Sequence, residues 1–131
     1  MAPEELLLVS ADGRTRALLL AELQEAGYNV VALPSLEVAL GALATGRVDP
    51  ALVVLDVQGD PRADRRGIGQ LLNFLEEDVP LVLVVGAYDA PMLAPLRARV
   101  AAWLSRPLRV GDVVAAVRRI RGDATVSGER R

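Results

Sequence analysis

Ala51-Leu-Val-Val-Leu-Asp56 is a run of five apolar residues that ends in a carboxylate. A strand buried on both faces reads as a continuous aliphatic run, because helices cover the sheet on either side. Parallel sheets of this kind present their chemistry at the carboxyl ends of the strands. Asp56 is therefore the first candidate functional residue, and its neighbours decide what it can do.

Strand and helix signals alternate on both sides of this run. Towards the amino terminus, Glu5 to Val9 reads as a strand and Arg14 to Ala26 as a helix stopped by Gly27. Tyr28 to Leu33 is a second strand, and Ser35 caps a second helix that runs to Ala44 or Thr45 and stops at Gly46. Towards the carboxyl terminus, Ile68 to Glu77 predicts a third helix with Leu71, Leu72 and Leu75 on one side. Pro80 introduces a fourth strand, and Asp89 is placed to cap a fourth helix in which Pro95 removes an interior hydrogen bond. Ala101 to Ser105 is a short fifth strand, and Val110, Val113, Val114, Val117 and Ile120 form the apolar stripe of a fifth helix. Five such units with short links predict one α/β domain over residues 1–121, a doubly wound parallel sheet. The small polar tail 122–131 is expected to be disordered.

Composition removes several classes of function. The chain of 131 residues has neither Cys nor His, which excludes disulfides, thiolate catalysis, Cys-ligated metals and imidazole general bases. Aromatics are only 3% of it, which disfavours base stacking, and a net charge of -2 gives no reason to expect nucleic acid or a membrane as partner. The apolar runs are too short to span a bilayer and Met1-Ala-Pro-Glu-Glu5 lacks the basic region of a signal peptide, so a cytoplasmic protein is expected.

Leu6-Leu-Leu-Val9, Arg16 and Leu19, Gly27-Tyr-Asn-Val-Val31, Asp49 to Asp56, Val79-Pro80 and Trp103-Leu-Ser-Arg-Pro107 occur in an order that resembles the receiver domain of two-component response regulators. The resemblance covers Glu5 to Arg121. It implies a flavodoxin-like five-stranded sheet of order 2-1-3-4-5 and no enzyme activity. Asp56 would accept a phosphoryl group from a histidine kinase with Mg2+ bound nearby, and Trp103 would stand in the place of the switch aromatic.

Several residues that this chemistry requires are replaced. An aspartyl phosphate needs further carboxylates to hold Mg2+ against the accumulating charge, and the acidic pair expected after the first strand reads Ser10-Ala11. Asp12 stands one residue beyond; with Asp56 it is a weak metal candidate, and a helix N-cap is its simpler role. The hydroxyl residue expected after the fourth strand is Val85, which cannot hydrogen-bond a phosphoryl oxygen. The expected Lys-Pro is Arg106-Pro107, whose planar guanidinium suits a lasting, bidentate pair with Asp56, across a peptide bond that the resemblance implies to be cis.

Other segments carry a functional and a plainer reading. The loop Val57 to Gly67 is long and charged, with Asp60 and Asp64, and Arg62 and Arg66, spaced for local ion pairs; it reads as a solvated insertion, or else as a lid over Asp56. Ser10-Ala-Asp-Gly-Arg-Thr15 is similar to the FMN phosphate loop of flavodoxins, although Asp12 would repel the phosphate. Gly67-Ile-Gly69 is not a dinucleotide fingerprint, because Leu72 stands where the third glycine belongs. Trp103, Arg118 and Arg119 are interface candidates on a surface of the fourth helix, fifth strand and fifth helix, for a protein partner (a histidine kinase or a downstream target) or a second copy. The leading expectation is a pseudo-receiver acting by protein contact, the alternative a Mg2+-dependent phosphoacceptor, and the remote one an FMN-binding carrier.

Overall fold

The computed structural model describes residues 4–123. Strand β1 (Glu5–Ser10) is followed by α1 (Gly13–Glu25), β2 (Asn29–Leu33), α2 (Leu36–Ala44), β3 (Leu52–Asp56), α3 (Arg65–Phe74), β4 (Leu81–Val85), α4 (Ala90–Leu93), a 3-10 helix (Ala94–Arg99), β5 (Ala102–Ser105) and α5 (Asp112–Arg121). All strands are parallel, in the order β2-β1-β3-β4-β5. The expected doubly wound architecture and strand order are both present.

Alternation along each strand splits the core into two layers. Leu7, Val9, Val53, Leu55, Leu81, Leu83 and Val85 face α2, α3 and α4, whereas Leu6, Leu8, Leu52, Val54, Val82 and Val84 face α1 and α5. Strands β3 and β4 are buried at every position, the reason that they read as unbroken aliphatic runs. Each fully buried Leu or Val contributes on the order of 1.5–3 kcal/mol of transfer free energy. The register sets Ser10 of β1 beside Asp56 of β3, and Asp56 beside Val84 of β4, which brings the strand ends together on one rim of the sheet.

Several element boundaries differ from the sequence expectation. Helix α3 starts at Arg65 rather than Ile68, because Asp64 caps it by accepting a hydrogen bond from the Gly67 amide at 2.8 Å. The fourth helix is a single α turn that passes into the 3-10 helix, since Pro95 cannot donate the α-helical bond, and the Asp89 side chain makes no capping bond. Val110 lies outside α5 and is 84% exposed; the stripe begins at Val113. Gly27 and Gly46 take positive φ (100° and 72°) where α1 and α2 stop, as expected. Of the segment 122–131, Gly122 closes α5 and Asp123 accepts a hydrogen bond from the Tyr28 hydroxyl at 2.7 Å. The expectation of disorder for the remainder falls outside the described residues.

Candidate functional site

Asp56 closes β3 with no solvent exposure, and both its oxygens are engaged. Oδ2 accepts from the Ser10 hydroxyl at 3.0 Å and from an Arg106 terminal guanidinium nitrogen at 2.7 Å; Oδ1 accepts from the Gln58 amide at 3.2 Å. A buried carboxylate is costly unless hydrogen bonds and an opposite charge compensate it, and here three donors do so. Arg106 comes from the end of β5, two strands away, and precedes Pro107 through a cis peptide bond. The expected ion pair forms, but through one guanidinium nitrogen. Arg106 Nε is buried without a partner, because Ser10 shares Oδ2 and Gln58 holds Oδ1.

Ser10 is more than the residue left where a carboxylate was expected. Its side chain is buried and its hydroxyl ties β1 to β3, with a longer contact to the Asp12 carbonyl at 3.3 Å. The sequence carried this signal only in combination with the strand order, since Ser10 and Asp56 are 46 residues apart and meet through the β1–β3 register. Ala11 follows and offers no donor or acceptor beyond its backbone. Arg16 donates to the Ser10 carbonyl at 2.8 Å and fixes the turn into α1.

Asp12 does what the simpler reading expects. Its carboxylate caps α1, accepting from the Thr15 amide at 3.3 Å and the Thr15 hydroxyl at 2.5 Å, and these bonds hold its pKa below the usual value. Among the described residues no three carboxylates lie around a point that could hold a metal ion. The donor set therefore does not fit Mg2+: Asp12 turns outward as a cap, Ser10 and Ala11 bring no charge, and the oxygens of Asp56 already have partners. The first loop does not fit an FMN phosphate either, because the Asp12 carboxylate occupies the α1 amides and Ser10 is committed to Asp56.

Val85 is buried at the end of β4, beside Ser105 of β5 in register, and packs in the α2-α3-α4 layer. Trp103 is half-buried against the α2-α3-α4 layer, and the Arg97 guanidinium lies 4.9 Å from its ring centroid. That stacking was not foreseen. Arg118 is half-buried and Arg119 is exposed, both in the last turn of α5.

The loop after Asp56 is anchored to the domain rather than solvated along its whole length. Asp60 is only 8% exposed and accepts from the Leu36 amide at 2.7 Å and the Arg62 amide at 3.1 Å, so it braces the start of α2. Val57 and Ala63 are buried beside it. Local ion pairs do not form, since Asp64 is the α3 cap and Arg62 donates to Gln70 Oε1 at 3.0 Å. The backbone is drawn in so far that a Cβ on Gly67 would stand 1.7 Å from the Arg62 carbonyl oxygen.

No family model matches the sequence. No curated protein matches it either. Solved structures do match. A response regulator receiver domain protein from Clostridium thermocellum superposes with a TM-score of 0.74 at 14% identity, over 91% of this chain and 94% of that one. A response regulator receiver protein from Burkholderia phymatum gives 0.72 at 21% identity, over 91% and 95%. A CheY-like receiver domain protein from Methanospirillum hungatei gives 0.70 at 15% identity, over 92% and 96%. With its strand order and cis Arg106-Pro107 bond, the chain has the fold of response regulator receiver domains.

Proposed function

We propose that this chain is a receiver-like signalling module of the cytoplasm that acts by protein contact rather than catalysis, with Asp56 held in one state by Arg106, Ser10 and the Gln58 amide. One observation carries the reading: the carboxylate that would attack a phosphoryl group has no solvent exposure and no free oxygen. In-line attack requires an accessible oxygen and a cation to neutralise the incoming phosphoryl oxygens. Here the cation that reaches the carboxylate, Arg106, is spent on its ground state. A two-state element shifts only when a ligand contacts its two states differently, and a pre-formed ion pair replaces that contact. Val85 supports the same reading, since it gives no hydroxyl to follow a phosphoryl group. The partner would be a kinase or downstream protein, met on the surface of α4, β5 and α5.

The test is incubation with acetyl phosphate, with and without Mg2+, followed by intact mass under mild conditions, beside a phosphorylatable receiver as positive control. No adduct is expected on this chain. A Mg2+-dependent, labile phosphoryl adduct that disappears in Asp56→Asn would overturn the proposal.

A further inference from the structure

The rim of the sheet opposite Asp56 is built by the two loops that enter β3 and β4, residues 45–51 and 75–80. Helix α2 stops where Gly46 takes positive φ and the Arg47 amide returns to the Ala42 carbonyl at 2.9 Å, and Val48 then packs back on the core. Helix α3 stops where Leu75 takes an extended backbone (φ -78°, ψ 138°), so Leu75 packs on the core and Phe74 is left 50% exposed. Between the two helix ends lies an open groove of about 330 Å3, floored by Leu43, Val48, Leu75 and Val79, with Phe74 in its wall. Both loops are tied to the sheet, through the Ala51 amide to the Glu5 carbonyl at 2.7 Å and the Val53 amide to the Pro80 carbonyl at 3.0 Å. The groove is therefore formed in advance, and filling it costs little ordering of the chain.

This apolar groove runs into a polar one, and the two share Asp49 and Glu76. The polar part is lined by five carboxylates and two arginines. Of the arginines, Arg121 is paired with Glu4, and Arg47 directs its Nε–H to the Thr45 hydroxyl at 3.1 Å. Among the described residues no cation lies within ion-pairing distance of Glu5, Asp49, Glu76 or Asp78. Like charges gathered on one rim repel one another, and a cation entering between them relieves the repulsion. An apolar floor beside unpaired carboxylates matches a ligand that carries a large apolar group next to positive charge.

We infer that this rim is a docking surface for a basic polypeptide segment, which seats an apolar side chain against Phe74 and Leu75 and sets Lys or Arg beside Asp49, Glu76 and Asp78. The surface lies at the other end of the strands from Asp56, so docking there requires no change at Asp56. A second copy placed face to face would oppose carboxylate to carboxylate, since a two-fold interface sets the same patch on both sides, and nucleic-acid phosphates would be repelled.

The experiment titrates the full chain with a fluorescein-labelled peptide of Lys and Leu at low ionic strength, reading anisotropy, and maps the contact by amide chemical shifts. Saturable binding is expected, with shifts concentrated in residues 43–50 and 74–79. Asp49→Lys and Glu76→Lys should each weaken it roughly threefold and Phe74→Ser roughly tenfold, whereas Glu25→Lys, which reverses an exposed charge at the end of α1, should change it by less than about twofold. A peptide of Lys and Ser with the same charge should bind at least about tenfold more weakly. Circular dichroism checks folding, and the exposed Asp49 and Glu76 keep the test decisive should Phe74→Ser unfold. Absence of binding, shifts on another face, equal binding of the two peptides, or equal weakening by Glu25→Lys overturns the inference. So does a dimer in sedimentation that Phe74→Ser dissolves, or tighter peptide binding after Arg130→Ala with Arg131→Ala, which would put the chain's own arginines in the groove.

Discussion

Removing either partner of the Asp56–Arg106 pair tests the site most directly. Asp56 is fully buried and the Arg106 side chain is 24% exposed, so the two losses are unequal. Arg106→Ala leaves a buried carboxylate with only the Ser10 hydroxyl and the Gln58 amide as donors. Breaking a fully buried pair costs about 3–5 kcal/mol. The two remaining hydrogen bonds and the partial exposure of Arg106 reduce the expected cost here to about 2–3 kcal/mol. Asp56→Asn removes the charge but keeps the shape and one acceptor oxygen, and leaves Arg106 able to reach water, for about 1–2 kcal/mol. Because the pair is shared, the double variant should lose less than the sum, with a coupling energy of about 1–2 kcal/mol. Urea unfolding followed by circular dichroism measures each midpoint, with equal slopes required before the energies are compared. Additivity within about 0.5 kcal/mol would refute the pairing as an energetic unit and, with it, the claim that Arg106 holds Asp56 in one state.

Two further predictions concern the frame around the site. Gly67→Ala should destabilise by more than about 3 kcal/mol or prevent folding, because its Cβ would overlap the Arg62 carbonyl oxygen, whereas Gly69→Ala in the same helix has nothing within 4 Å and should stabilise by about 0.5–1 kcal/mol. Urea midpoints that move alike for the two would disprove the close approach. Tyr28 has its pKa pushed up to about 12, first by burial and then by its hydrogen bond to Asp123. A phenol whose folded pKa lies above its unfolded value near 10 supports the fold fully below about pH 10 and loses that support as pH rises towards 12. Unfolding midpoints should therefore fall between those limits in the parent and fall less in Tyr28→Phe; parallel curves would refute the link between β2 and the end of α5.

Much of the frame could be read along the chain because it depends on local spacing. The unbroken runs of β3 and β4 exist because helices cover both faces of the sheet, and Gly27 and Gly46 stop helices because they alone take positive φ there. Asp12 as a cap also followed from residue type and place, and Arg106 as the partner of Asp56 followed from the resemblance to receiver domains. Boundaries failed where a loop residue took a helix amide or a proline refused one, as at Asp64 and Pro95.

The sequence by itself determined the alternation of strands and helices, the Asp at the end of β3 and the loss of the neighbours that would hold Mg2+, because each is written in residue type and spacing. Tertiary structure alone decided that Ser10 completes the shell of Asp56, that Asp60 is a buried brace for α2, and that Arg97 lies on Trp103. Each of these depends on strand register or chain reversal, which bring together residues irrespective of their distance along the chain.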